Sequence, residues 1–132
     1  MPKAIPAAFV DLTKKQALAH LATVMPDGGP QVSAVWFDYD GRHIRVNSAR
    51  NRVKDKNMER DRRVALSIVD PDNAYRCLMI RGRVVNITEQ GADAHIDSLA
   101  KSYLGVDAYP FRRPDERRVI YVIEPTHVSV MP

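Results

Sequence analysis

Along most of the chain, apolar and polar residues alternate every second position; in only three segments does the spacing lengthen to three or four. The short period marks half-buried strands, and the longer one marks amphipathic helices. Residues 11–20 are the first helical segment: Asp11 or Thr13 can cap it, and Ala17, Leu18 and Leu21 supply an apolar side. Residues 20–25 then read as a strand ending at Pro26-Asp27-Gly28-Gly29-Pro30. Asp-Gly between two apolar runs is a strong hairpin signal. Residues 31–39 form the returning strand, in which Val32, Ala34 and Trp36 alternate with Gln31, Ser33 and Val35. A second Asp-Gly turn, at Asp40-Gly41, leads to a strand over 43–47 with Ile44 and Val46 on one face.

The second helical segment, 50–60, is polar, with Val53, Asn57 and Met58 at spacings that share a face. A strand over 63–70 carries Val64, Leu66 and Ile68; the turn Pro71-Asp72-Asn73 follows. A long strand over 75–87 is expected to bend near Gly82, because glycine inside a strand marks a bend or a close approach. The strongest helix spans 88–104, where Ala92, Ile96, Leu99, Ala100 and Tyr103 recur at helical steps and Gly105 is a natural stop. Residues 107–116 are irregular and hold two prolines; strands over 118–124 and 126–130 follow, with Pro125 marking a bend. Strands joined by Asp-Gly turns are antiparallel, and no strand–helix–strand alternation of the parallel kind occurs. The expected fold is mainly β: an antiparallel barrel of about six or seven strands with helices packed outside, since closure removes exposed edges.

The 132 residues, 45% of them hydrophobic, suit one domain over 1–132. No apolar run approaches membrane-spanning length, the N-terminal residues lack a signal-like apolar stretch, and the single cysteine, Cys77, allows no intrachain disulfide. A cytoplasmic protein with no membrane association is expected. Charge changes the picture more. Residues 42–63 hold nine basic and three acidic side chains, a net +6 against +4 for the whole chain. The basicity is therefore local, which argues for a discrete anion site.

That site is expected at Asn47-Ser48-Ala49-Arg50-Asn51-Arg52-Val53-Lys54-Asp55-Lys56-Asn57, where a strand ends and a helix begins. The first N–H groups of a helix have no partner within it, and a phosphate placed there gains those donors and the positive end of the helix dipole. Ser48 adds a hydroxyl, Arg52 a planar fork, Lys54 a compact charge, and Lys56 extends the positive surface. Other chemistry is weak. His20, His43, His95 and His127 have no metal-ligand spacing, so no metal is expected, and His95 falls on the polar side of its helix. Cys77 reads as a small core residue, and residues 112–118 as a mixed-charge loop that is either solvated surface or a contributor to substrate or tail recognition. Nucleic-acid binding is disfavoured because the basic stretch has no aromatic residue for base stacking.

The run from Asn47 to Val64, with its basic residue, Lys, Asn and then Asp61-Arg62-Arg63-Val64, resembles the flavin-binding split-barrel family, as does the opening hairpin Leu21-Ala22-Thr23-Val24 and Asp27-Gly28-Gly29-Pro30-Gln31-Val32-Ser33. The order of elements agrees over nearly the whole chain. The resemblance implies a split β-barrel homodimer with two cofactor sites at the subunit interface. It places Gln31, Val32, Ser33, Val35 and Trp36 along the cofactor ring and Ser48, Arg52, Val53 and Lys54 near its phosphate. Arg50 and Lys56 would reach toward an anionic tail, and Tyr75, Arg76 and Cys77 of the partner subunit would close the pocket. The chain is most similar to the short branch that uses the 8-hydroxy-5-deazaflavin coenzyme F-420; FMN, as in the pyridoxamine 5′-phosphate oxidases, is the alternative. The chain ends at Pro132 without the oxidases' C-terminal substrate segment, which argues against pyridoxal phosphate synthesis. The implied activity is hydride transfer to or from a small organic molecule, with Tyr75, Tyr109 or water as the proton donor; a non-catalytic cofactor carrier is the other reading.

Overall fold

The computed structural model describes residues 2–132. A 3-10 helix at Ala7–Thr13 precedes β1 (Ala19–Val24), β2 (Pro30–Val35), β3 (Phe37–Tyr39) and β4 (Ile44–Ala49). Then come α1 (Val53–Arg60), β5 (Arg63–Asp70), β6 (Asn73–Thr88), α2 (Ala92–Leu104) and β7 (Arg118–Met131). The seven strands form one antiparallel sheet in the order β2-β1-β5-β6-β7-β4-β3.

The expected single strand over 31–39 is two strands, broken at Trp36. Its first half pairs with β1, Ala19 opposite Val35, and its second with β4, Phe37 opposite Val46. These halves are the two ends of the sheet order. Consecutive Cα atoms lie about 3.8 Å apart, so Val35 and Phe37 are within about 7.6 Å. The sheet must therefore curl until its two edges meet at Trp36, and no ladder joins β2 to β3 across that seam. This is a split barrel.

The expected helix over 11–20 is also corrected. The chain makes a 3-10 helix earlier, closed by the Thr13 hydroxyl on the Val10 carbonyl at 2.7 Å, and is extended by Ala19. Ala17, Ala19, Leu21 and Thr23 are buried, whereas Leu18 is 42% exposed. A two-residue period fits that burial, so strand pairing with β5 prevails over the weaker helical spacing.

β6 bends where expected. Its register against β7 shifts between Arg81 and Gly82, and a Cβ at Gly82 would lie 2.8 Å from the Glu124 carbonyl oxygen. β7 runs unbroken through Pro125 instead of forming two strands; Thr126 bulges out and donates its hydroxyl to the Arg81 carbonyl at 3.1 Å. The barrel is filled by Leu21, Ile44, Val46, Ile68, Leu78, Val119, Tyr121 and Ile123, and Met58 of α1 is fully buried with them. α2 packs outside on β7 and β4 through Ile96, Leu99 and Ala100, starting after Gly91 and ending at Gly105, whose φ of 72° suits glycine. No helix among the described residues is long and apolar enough to cross a membrane.

Candidate functional site

At the seam the structure opens a cavity of about 230 Å³. Ala34, Val35 and Trp36 form one wall, Asn47 and Arg118 the floor from β4 and β7, and Arg52 and Lys54 the rim at the start of α1. The loop after α2 contributes Tyr109 and Phe111. Trp36 stacks on Tyr103 with ring centroids 5.3 Å apart and meets the Tyr109 ring edge-on at 6.0 Å. Asp97 fixes the loop by accepting from the Tyr109 backbone N–H at 2.9 Å and from Arg112 at 2.7 Å.

Three cations converge here. The half-buried Lys54 ammonium reaches the Ser33 hydroxyl at 3.3 Å. Burial, then the positive charges of Arg52 and Arg118, hold its pKa below the ordinary lysine value. A site that concentrates positive charge at a helix start is built for an anion. The turn into α1 is shaped by Asn51, whose φ is 73° and whose N–H donates to Asp55 at 2.9 Å. Asp55 is buried and also accepts from Tyr121 at 2.5 Å and Arg50 at 3.2 Å, so the helix start is tied to the barrel core.

The floor is a hydrogen-bonded chain. Arg118 donates Nε–H to Asn47 Oδ1 at 2.9 Å and Nη1–H to Glu116 at 2.6 Å, and its guanidinium sits 5.0 Å above the Tyr109 ring centroid. Asn47 Nδ2 reaches the Ala92 carbonyl at 2.9 Å and His95 Nδ1 at 3.1 Å. His95 is only 5% exposed, so the expectation of a solvated histidine is corrected: polar partners from β3 and β4 allow it to be buried.

Of the residues singled out from sequence, Val35, Trp36, Arg52 and Lys54 line the cavity, and Ser33 meets it through Lys54. Ser48 does not. It shares the inward face of β4 with Ile44 and Val46, is 1% exposed, and its hydroxyl has no partner among the described residues. Val32 is 63% exposed, on the outer face beside Ala22 and Met79. Gln31 accepts from Thr23 at 3.1 Å. Arg50 is engaged by Glu59, Asp55 and Glu89, while Val53 and Lys56 are exposed. Tyr75 is 80% exposed, Arg76 is bound by Asp11 and Asp70, and Cys77 is buried; none lines the cavity of its own chain. Asn47 belongs to the expected segment but serves as the floor and not as a helix-start donor. Arg118 and Glu116 were not singled out as site residues, and their covered side chains correct the solvated reading at that end of the loop. Among the described residues no cluster of three or more His, Cys, Asp or Glu side chains is placed to hold a metal.

A family model described as pyridoxamine 5′-phosphate oxidase matches residues 5–131. A solved structure described as an F420 reductase is 38% identical, with a TM-score of 0.84 over 95% of this chain and 98% of its own. A conserved hypothetical protein from Mycobacterium tuberculosis is 23% identical with a TM-score of 0.78, covering 98% of this chain and 86% of its own. A putative pyridoxamine 5′-phosphate oxidase from Lactobacillus delbrueckii is 19% identical with a TM-score of 0.67, covering 98% and 99%. The last two are alike in fold. Seam, strand order and family match agree: the chain belongs to the pyridoxamine 5′-phosphate oxidase-like split-barrel family.

Proposed function

We propose that the chain is a homodimeric, cytoplasmic oxidoreductase that holds a flavin-type cofactor, coenzyme F-420, in the seam cavity. The observation that carries this is the convergence of Lys54, Arg52 and Arg118 on a cavity whose other wall is Trp36 and Tyr109. Such a site fits a ligand with a phosphate at one end and a planar ring at the other. Arg52, Lys54 and Arg118 hold the phosphate; Ala34, Val35 and Trp36 bear on the ring. When bound, the cofactor supplies hydride transfer to or from a small organic substrate. The chain's own residues bind, orient and exclude water. The 38% identity to a structure described as an F420 reductase supports F-420 over FMN.

The homodimer rests on the outer face of the sheet, where a groove of about 760 Å³ exposes Ala22, Val32 and Met79. Apolar surface on that face is stabilised by a second copy. Fluorescence titration with F-420 and with FMN tests the cofactor assignment. Binding of F-420 in preference to FMN is expected; preference for FMN would make the protein an FMN-binding member, and binding of neither would overturn the reading. Light scattering at micromolar concentration should give twice the 14.9 kDa chain mass.

A further inference from the structure

Two features of Asn47 fix the direction of every hydrogen bond beneath the cavity. Its Oδ1 accepts from Arg118 Nε, and one Nδ2 hydrogen goes to the Ala92 carbonyl. Turning the amide over would set Nδ2 against the arginine N–H and Oδ1 against that carbonyl. The remaining Nδ2 hydrogen therefore points at His95 Nδ1, which must accept. The imidazole is then neutral, with its proton on Nε2, where Asp38 Oδ2 lies at 3.0 Å. Asp38 is oriented in turn by Arg45, at 2.9 and 2.8 Å to its two oxygens. At the far end Arg118 uses Nε and Nη1 for protein partners, and Nη2 has none among the described residues.

We propose that His95 is a positioning residue for the anion site: its unprotonated Nδ1 holds the Asn47 amide, the amide holds the Arg118 guanidinium plane, and Nη2 is left to meet the phosphate. This deepens the reading of the cavity as a phosphate site and rests on it for the ligand. His95 touches no ligand itself. Its two ring nitrogens act differently: the Nδ1 bond carries the positioning, and the Nε2 bond anchors the ring.

Two substitutions separate them. His95→Asn places a carbonyl oxygen near the position of Nδ1 and gives up the Asp38 contact. His95→Gln places an N–H near the position of Nε2 and gives up the Asn47 contact. Each folded variant, checked by circular dichroism, is read in two ways: hydrogen exchange of the Arg118 Nε–H by side-chain 15N spectroscopy, and the dissociation constant for F-420 and for FMN. His95→Asn should keep the slowly exchanging Arg118 signal and bind within about threefold of the parent, whereas His95→Gln should lose the signal and bind about tenfold more weakly. Equal behaviour of the two variants would overturn the proposal. If the parent binds neither cofactor, the phosphate reading fails, and the Arg118 signal still decides the positioning role. In the parent, long-range 1H–15N spectra of the neutral ring should show the proton on Nε2 and none on Nδ1; the opposite tautomer would also overturn it, whether or not the variants fold.

Discussion

Lys54 Nζ lies 3.3 Å from Ser33 Oγ, so the first turn of α1 is tied to the edge strand β2 beside the barrel seam. The same ammonium is half-buried and faces Arg52 and Arg118, whose charge the Glu116 carboxylate between them offsets only in part, so a further anion is favoured there. Its folded pKa lies below the unfolded value of about 10.4, so the folded state carries a penalty at neutral pH that fades as pH climbs through the lowered folded value and is gone above the unfolded one. Lys54→Met should raise the melting temperature of the ligand-free protein by about 2–4 °C, because a partly desolvated ammonium and its repulsion by Arg52 and Arg118 are removed. The same variant should lose the stabilisation that added phosphate gives the parent. Thermal melts with and without phosphate check both; an unchanged or lower melting temperature without phosphate contradicts the first.

Tyr121 links the core to the site. It is fully buried and donates its hydroxyl to Asp55, which also receives the Asn51 N–H that starts α1. Burial, then the Asp55 carboxylate, push the phenol pKa upward, so the hydroxyl remains a donor at all working pH values. Tyr121→Phe should destabilise the fold by about 1–3 kcal/mol by leaving a buried acceptor underfilled. It should also weaken cofactor binding by loosening the helix start. Denaturant titration measures the first effect and fluorescence titration the second.

Gly82→Ala tests the bend in β6. The added Cβ would meet the backbone oxygen of Glu124 at 2.8 Å and the Ile123 side chain at 2.9 Å, and a paired strand backbone yields little. A loss of about 1–3 kcal/mol is expected in urea denaturation. A stability equal to the parent's would mean that the two strands can separate there without loss.

Asp70 predicts an acid limit. The Asp72 backbone N–H, then Lys15 and Arg76, pull its carboxyl down to about 2. A depressed carboxyl stabilises the fold fully above its unfolded pKa of about 3.9, and that stability is lost as pH falls toward 2. The difference between the parent and Asp70→Asn in denaturation midpoint should therefore be constant above pH 5 and shrink between pH 4 and 2. A constant difference down to pH 2 would show that Asp70 is not the titrating group.

The hairpin at Asp27-Gly28, the bend at Gly82 and the stop at Gly105 were legible in sequence because each is local backbone chemistry. The break at Trp36 was not: alternation continues through it, and only pairing with distant β1 and β4 shows that the halves belong to opposite edges. His95 and Arg118 read as surface because their partners lie far along the chain, Asp38 at 57 residues and Asn47 at 48 and 71. Ser48 and Asn47 are a different case. Ile44 and Val46 already mark the inward face of that strand, so its two-residue period places Ser48 inward and Asn47 toward α2.

On the proposed reading, Lys54, with Arg52 and Arg118, holds the cofactor's phosphate. The most direct test compares the affinity for F-420 with that for its phosphate-free ribityl fragment, and FMN with riboflavin, in the parent and in Lys54→Ala. The parent should prefer the phosphate-bearing member of at least one pair by about tenfold or more, and Lys54→Ala should lose most of that preference while remaining folded. Equal affinity for both members of each pair in the parent, or an undiminished preference in Lys54→Ala, would contradict it.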